Sequence, residues 1–285
     1  MRVLVTGYNG QLGFDVVNLL KKTGIDCIGV DKDDFDLTSE EKTKKYIIDY
    51  KPDVIVHSAA YTQVDRAEDE RELCYSVNVL GTRYIAECSE KLDSKLIYIS
   101  TDYVFDGEKN EPYNVDDKPN PINYYGYTKY LGEIEVKNKV EKYFIVRTSW
   151  VFGKNGNNFV KTMLKLGKEK DELKVVSDQV GSPTYTGDLA KLIVDMIKTD
   201  KYGIYHATNE GYCSWYEFAC KIFEIAGLDI NVIPITSKEY PTKAKRPKNS
   251  RLSKESLDKA GFSRLRSWTE ALTFFLTEIE IGALR

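Results

Sequence analysis

The sequence predicts an α/β protein built on a doubly wound parallel sheet, with a smaller lobe toward its C-terminus. Three observations lead there. Short, nearly continuous apolar runs recur, amphipathic stretches alternate with them, and a glycine-rich turn follows the first run. The runs "RVLVTG" (2–7), "CIGVD" (27–31), "DVIVHSAA" (53–60), "KLIYIS" (95–100), "YFIVRTSW" (143–150) and "LKVVSD" (173–178) read as strands buried on both faces. Of the intervening helices, "GFDVVNLLKKTG" ends in two cations with Gly24 just beyond, a usual stop signal. "SEEKTKKYIIDYK" starts after Thr38 and Ser39, either of which can cap it. "ELCYSVNVLGTRYIAECSEKL" comes next, then "YYGYTKYLGEIEVKNK", which Pro119 and Pro121 keep from starting before about residue 122.

After residue 150 the alternation loosens. "NNFVKTMLKLGKE" and "TGDLAKLIVDMIKTD" read as helices, "GIYHATN" as a strand, and "SWYEFACKIFEIAG" as a helix capped by Ser214. A basic segment, "PTKAKRPKNSRLSK", precedes a final helix around 267–280. The expected division is a sheet domain over 1–150, with about 173–200 rejoining it, and a lobe over 151–285 interleaved with that domain.

Composition narrows the chemistry. A chain of 285 residues with 42% hydrophobic content can bury a full core. A net charge of −3 gives no field for nucleic acid or anionic membrane, so neither is expected as a partner. Five cysteines without a Cys-x-x-Cys spacing read as thiols of a reducing cytosol, and two histidines make a histidine-rich metal centre improbable. The N-terminal "MRVLVTG" enters a strand at once and does not read as a signal peptide, and no apolar run is long enough to span a bilayer. A cytoplasmic protein is the expectation.

The chemistry-bearing residues lie at the ends of the predicted strands. In "TGYNGQLG", Gly7 permits the tight turn, Gly10 lets backbone approach a pyrophosphate, and Gly13 lets the helix pack on the strand. Strand, turn and helix in that order are the context of a dinucleotide-binding (Rossmann) domain. Asp31 lies 18 positions beyond Gly13, where a carboxylate accepts hydrogen bonds from an adenosine ribose. A solvated loop aspartate is the competing reading, and Lys32 beside it softens a preference for the cofactor without a 2′-phosphate. His57, inside an apolar run, reads as a satisfied core residue. Thr101 and Asp102 end a central strand, where a hydroxyl can polarise a carbonyl, though strand-end Ser and Thr also serve structure alone.

The remaining motif is Tyr125 followed by Lys129, the one Tyr-x-x-x-Lys in the chain. About two would arise by chance at this composition, so the spacing by itself is weak. Four residues apart on a helix, however, the two side chains share a face. An ammonium there is expected to lower the phenol's pKa and let it give a proton to a ketone oxygen as hydride arrives.

Together, "TGYNGQLG", "AAYTQVDRAE", "STDYVFDG", "YYGYTKYLGE", "RTSWVFG", "DQVGSPT" and "RPKNSRL" resemble, in that order along nearly the whole chain, the dTDP-4-dehydrorhamnose reductase family of the extended short-chain dehydrogenase/reductase superfamily. The last two blocks are the most particular to that family. The resemblance implies NADH- or NADPH-dependent reduction of the C4 ketone of a dTDP-sugar, dTDP-4-dehydro-L-rhamnose. It implies Tyr125 as proton donor, Lys129 on the nicotinamide ribose and Thr101 on the ketone. Gly10, Gln11 and Leu12 would cradle the pyrophosphate. Asp36 and Leu37 would lie beside the adenine, with Ala60, Tyr61 and Thr62 along the cofactor's path. Asp102 and Trp150 would contact the sugar nucleotide. A homodimer, magnesium-linked in some members, is also implied; no carboxylate cluster here matches that metal site, and Mg2+ stays open. Of the cations Lys243, Lys245, Arg246, Lys248, Arg251 and Lys254, only Arg246 is backed as a grip on the diphosphate, the others reading as a solvated loop. Competing readings are an epimerase or dehydratase that retains NAD, and a non-catalytic subunit of the kind that regulates methionine adenosyltransferase.

Overall fold

The computed structural model describes residues 1–283. Strand β1 (Arg2–Thr6) is followed by α1 (Gln11–Lys22), β2 (Asp26–Val30), α2 (Glu40–Tyr50) and β3 (Val54–His57). Helix α3 (Arg71–Tyr75) passes through a π-helical turn at Ser76–Gly81 into α4 (Thr82–Lys91). Then come β4 (Lys95–Thr101), α5 (Tyr124–Lys139), β5 (Tyr143–Thr148), β6 (Val151–Phe152) and α6 (Phe159–Glu169). The rest comprises β7 (Glu172–Val176), β8 (Val180–Gly181), β9 (Thr184–Tyr185), α7 (Thr186–Met196), β10 (Gly203–His206), β11 (Cys213–Ser214), α8 (Trp215–Ala226), β12 (Asn231–Ile235), α9 (Glu255–Ala260) and α10 (Trp268–Ala283).

Six strands form one parallel sheet in the order β10-β5-β4-β3-β1-β2. The strand order reverses between β1 and β3, all strands staying parallel, which opens a crevice beyond their carboxyl ends. Alternation along each strand feeds two cores. Val3, Val5, Val54, Val56, Phe144 and Val146 pack under α1 and α7. Leu4, Ile55, Leu96, Tyr98 and Ile145 pack on the other face, against Ile47, Ile85 and Val136. Helix caps follow the sequence: Ser39 caps α2, and Ser214 with Glu217 forms a reciprocal capping box on α8.

One placement differs from the sequence reading. The run at 173–178 does not join the main sheet. β7 pairs in parallel with β12 in a separate two-stranded sheet, and Leu173 and Val175 enter a third core with Phe152, Val160, Phe218, Ile222 and Phe275. A short apolar run announces a strand but not its partner, and the carboxyl-ward edge of the main sheet is taken by β10, hydrogen-bonded to β5. Helix α7 does return to the main sheet, as its place in the first core shows. Among the described residues no helix is long and apolar enough to cross a membrane.

The glycine turn fixes how closely the first helix approaches the sheet. Gly7 has φ +74°, and a Cβ on it would lie 2.7 Å from the backbone nitrogen of Ala59 at the end of β3. A Cβ on Gly13 would overlap the Gly7 carbonyl and sit 3.0 Å from Ser58 Oγ. Gly13→Ala is therefore expected to lower the unfolding free energy by about 1–3 kcal/mol, measured by urea denaturation, because backbone has to move to admit the methyl group.

Candidate active site

A cleft of about 1000 Å³ opens at the carboxyl ends of the strands, and every residue assigned to the site from the sequence except Arg246 lines it. Gly7, Gly10, Gln11, Leu12 and Gly13 form its floor at the start of α1, where free amides and the helix dipole favour an anion. Asp31, Asp36 and Leu37 stand at one end, and Ala60, Tyr61 and Thr62 along the wall. Thr101, Asp102, Tyr125, Lys129 and Trp150 gather at the other end. Asp31 is ordered by the turn itself: its carboxylate accepts from the amides of Asn9 (2.9 Å) and Lys32 (2.7 Å).

Tyr125 is placed by the start of α5. Asn123 caps the helix by accepting from Gly126 N at 2.8 Å, and its amide donates to the Lys245 carbonyl at 2.8 Å. Gly126 allows this first turn to sit directly on the backbone of Tyr103, where any side chain would collide. The phenol is thereby brought beside the Thr101–Tyr103 turn, edge-on to the Tyr103 ring at 5.9 Å. Thr101 Oγ1 donates to Asp102 Oδ1 (2.9 Å) and accepts from Tyr103 N (3.2 Å).

The electrostatics differ from the expectation drawn from spacing alone. Burial, and then the Asp102 carboxylate, push the Tyr125 phenol well above its ordinary range, with the Thr101 hydroxyl opposing them. Burial pushes the Lys129 amine down to about 7, against Glu133 and Cys74, which favour its charge. Its Nζ lies over the Tyr98 ring, 4.1 Å from the centroid. Burial and Asp102 thus set the phenol's direction, and the nearby lysine does not bring it down. A phenol held neutral is nonetheless the form that can donate a proton.

A buried atom at the cleft lacks a partner: Asp102 is 3% exposed, and its Oδ2 makes no hydrogen bond among the described residues. Native structures seldom leave such an atom unpaired, and Asp102 lines the cleft together with Lys129, itself 3% exposed. Among the described residues no cluster of His, Cys, Asp and Glu is arranged to hold a metal ion. His57 is a core residue, as its position in an apolar run suggests: it is held between Thr6 (2.8 Å) and Thr82 (3.0 Å), and burial pushes it down to about 3.

The basic segment is less solvated than its composition implies. Arg246 forms a two-pronged pair with Asp65 (2.6 and 3.1 Å), Lys243 pairs with Asp69, and Lys254 is buried over the Tyr212 ring at 4.4 Å. Arg246 lines a second cleft of about 980 Å³, between α6, β7 and the segment around 237–248. Trp215 faces both clefts and stacks on Trp150, with ring centroids 3.6 Å apart and planes 12° from parallel. Sequence reading assigned Trp215 only to a helix. It also missed Asn78, which receives Tyr61 N (2.8 Å) and donates to Thr128 (3.0 Å), and Asn155 and Asn158, which dock the 151–158 loop onto Asn9 and Gln11.

Asp102 supplies a pH test of this geometry. Burial raises its carboxyl to about 6, with the Ser250 and Thr101 hydroxyls opposing, against an ordinary value of 3.8. Between those values the folded protein holds a proton that the unfolded chain has lost, so this residue's contribution to stability falls as pH rises. Asp102→Asn is expected to gain about 1–3 kcal/mol on the wild type between pH 4 and pH 7, read from urea midpoints at each pH.

Comparison with known proteins gives the family. The family model described as "RmlD substrate binding domain" matches residues 1–281. The spore coat polysaccharide biosynthesis protein SpsK of Bacillus subtilis is 43% identical over 277 residues, covering 97% of each chain. The dTDP-4-dehydrorhamnose reductase of Aggregatibacter actinomycetemcomitans is 43% identical over 284 residues, covering 95% of this chain and 97% of that one. The crystal structure of dTDP-4-dehydrorhamnose reductase from Bacillus anthracis, in complex with NADP, superposes with a TM-score of 0.95 at 48% identity, covering 97% of this chain and 99% of that one. Strand-end hydroxyl, helical Tyr-Lys pair and glycine turn thus occur in a chain that belongs to the dTDP-4-dehydrorhamnose reductase family of oxidoreductases.

Proposed function

We propose that the protein reduces the C4 ketone of dTDP-4-dehydro-L-rhamnose with NADPH or NADH, Tyr125 giving the proton. The observation that carries this reading is the meeting, in one cleft, of a neutral phenol, the buried Lys129 and an unpaired buried carboxylate oxygen. The cradle fits a nicotinamide dinucleotide. The amides of Gln11 and Leu12 would hold its pyrophosphate, which the bare Gly10 lets approach while its own amide donates to the Gly7 carbonyl; Asp31 would hold the adenosine ribose, and Lys129 Nζ the diol of the second ribose. When bound, the dihydronicotinamide supplies the hydride to the sugar carbon.

The chain's own groups account for the rest. Thr101 Oγ1 turns from Asp102 to the ketone oxygen and polarises it, and Tyr125 Oη delivers the proton that makes the new hydroxyl. Asp102 Oδ2 accepts a hydrogen bond from a sugar hydroxyl and so gains the partner it lacks. The phenolate is reprotonated from solvent. The sugar end would sit against the Trp150–Trp215 stack, and the nucleotide would extend past Trp215 into the second cleft, bordered by Arg246 in its pair with Asp65. The B. anthracis relative's complex with NADP supports the cofactor class.

Turnover of dTDP-4-dehydro-L-rhamnose, followed as loss of nicotinamide absorbance with each cofactor, tests the reading. Tyr125→Phe is expected to lower kcat by about 100- to 10,000-fold, the range of a lost general acid, with cofactor affinity retained. Oxidation of neither NADPH nor NADH by the wild type with this ketone would refute the assignment.

A further inference from the structure

We propose that Glu133 is a positioning residue of the reductase site, its one buried carboxylate setting the spacing between the Tyr125–Lys129 face of α5 and the Thr101 end of β4. This rests on the functional reading above. Glu133 lies one helical turn beyond Lys129 on the same face of α5 and is 1% exposed. It accepts from Ser100 Oγ at 2.6 Å, and Ser100 immediately precedes Thr101. It also accepts from Arg147 Nε (2.8 Å) and Nη2 (2.7 Å) on β5, three residues before Trp150. Arg147 is 2% exposed, and its Nη1 reaches the Val115 carbonyl and His206 Nε2, each at 3.3 Å. One carboxylate therefore joins the helix carrying the phenol and amine to the two strands whose ends carry the hydroxyl and the indole.

A buried pair of this kind contributes little net stability compared with apolar side chains of similar volume, because desolvation offsets the attraction. What it supplies is direction: three donors on two strands fix one position of the helix. The groups around Lys129 Nζ are Glu133 on α5, Cys74 on α3, the Tyr98 ring on β4 and the neutral His57 on β3. Glu133 is the anion among them that favours the charged amine.

Two variants and two readouts test the proposal. Glu133→Met combined with Arg147→Met removes both charges and leaves volume nearly unchanged. It is expected to unfold near the wild-type midpoint while kcat falls about 10- to 100-fold, as a misplacement of about 1 Å does. Wild-type kcat in that well-folded double variant would overturn the proposal. Glu133→Gln keeps the shape and strands Arg147, so Lys129 is expected to titrate at lower pH, read by the pH dependence of amine acylation at Lys129 with no substrate added. An unmoved titration would also overturn it. A wild type that shows this labelling shift relative to Glu133→Gln yet reduces no ketone would retire the functional reading and leave the coupling standing.

Discussion

The ion pair of Glu133 with Arg147 is the contact on which the geometry of the site depends. Both groups are withdrawn from water, and the carboxylate is satisfied by three donors, Ser100 Oγ and two guanidinium nitrogens. Unpaired, either charge would cost several kcal/mol in such surroundings. The pair can therefore form only when α5, β4 and β5 are already in register. That requirement carries through to the cleft, because Thr101 follows Ser100, Tyr125 and Lys129 precede Glu133 on one helical face, and Trp150 follows Arg147.

The second constraint is close approach of backbone at the glycine turn. The crevice exists because β1 sends its chain one way and β3 the other, and a cofactor can lie there only if no side chain fills it. Gly7 against Ala59 and Gly13 against Gly7 keep it open. The C-terminal lobe closes over the crevice from its own core of Phe152, Phe218 and Phe275, reaching back through Asn155 and Asn158 to the turn. Trp150 and Trp215 stack at the seam, so the same aromatic surface borders the reaction end of one cleft and the mouth of the other.

Much of this was legible in sequence because it is local. Glycine spacing, strand-to-helix order and the four-residue interval of Tyr125 and Lys129 are properties of a few consecutive residues, and the cleft collects them where a doubly wound sheet should. What escaped were the long-range pairings. Glu172–Val176 reads as a strand from its own residues, but its partner is 59 positions away and outside the main sheet. Arg246 reads as a free cation until Asp65, 181 positions earlier, takes both of its prongs. The phenol's protonation was misjudged for the same reason: spacing shows that a lysine is near, whereas burial and the Asp102 carboxylate, which set the outcome, are products of the folded state.

The most direct measurement is a crystal structure of the protein with oxidised cofactor and dTDP-L-rhamnose bound together. The account predicts the C4 hydroxyl of the sugar within hydrogen-bond distance of both Tyr125 Oη and Thr101 Oγ1, with Lys129 Nζ on the nicotinamide ribose. A C4 hydroxyl held away from Tyr125, or a phenol turned from the nicotinamide toward solvent, would contradict it.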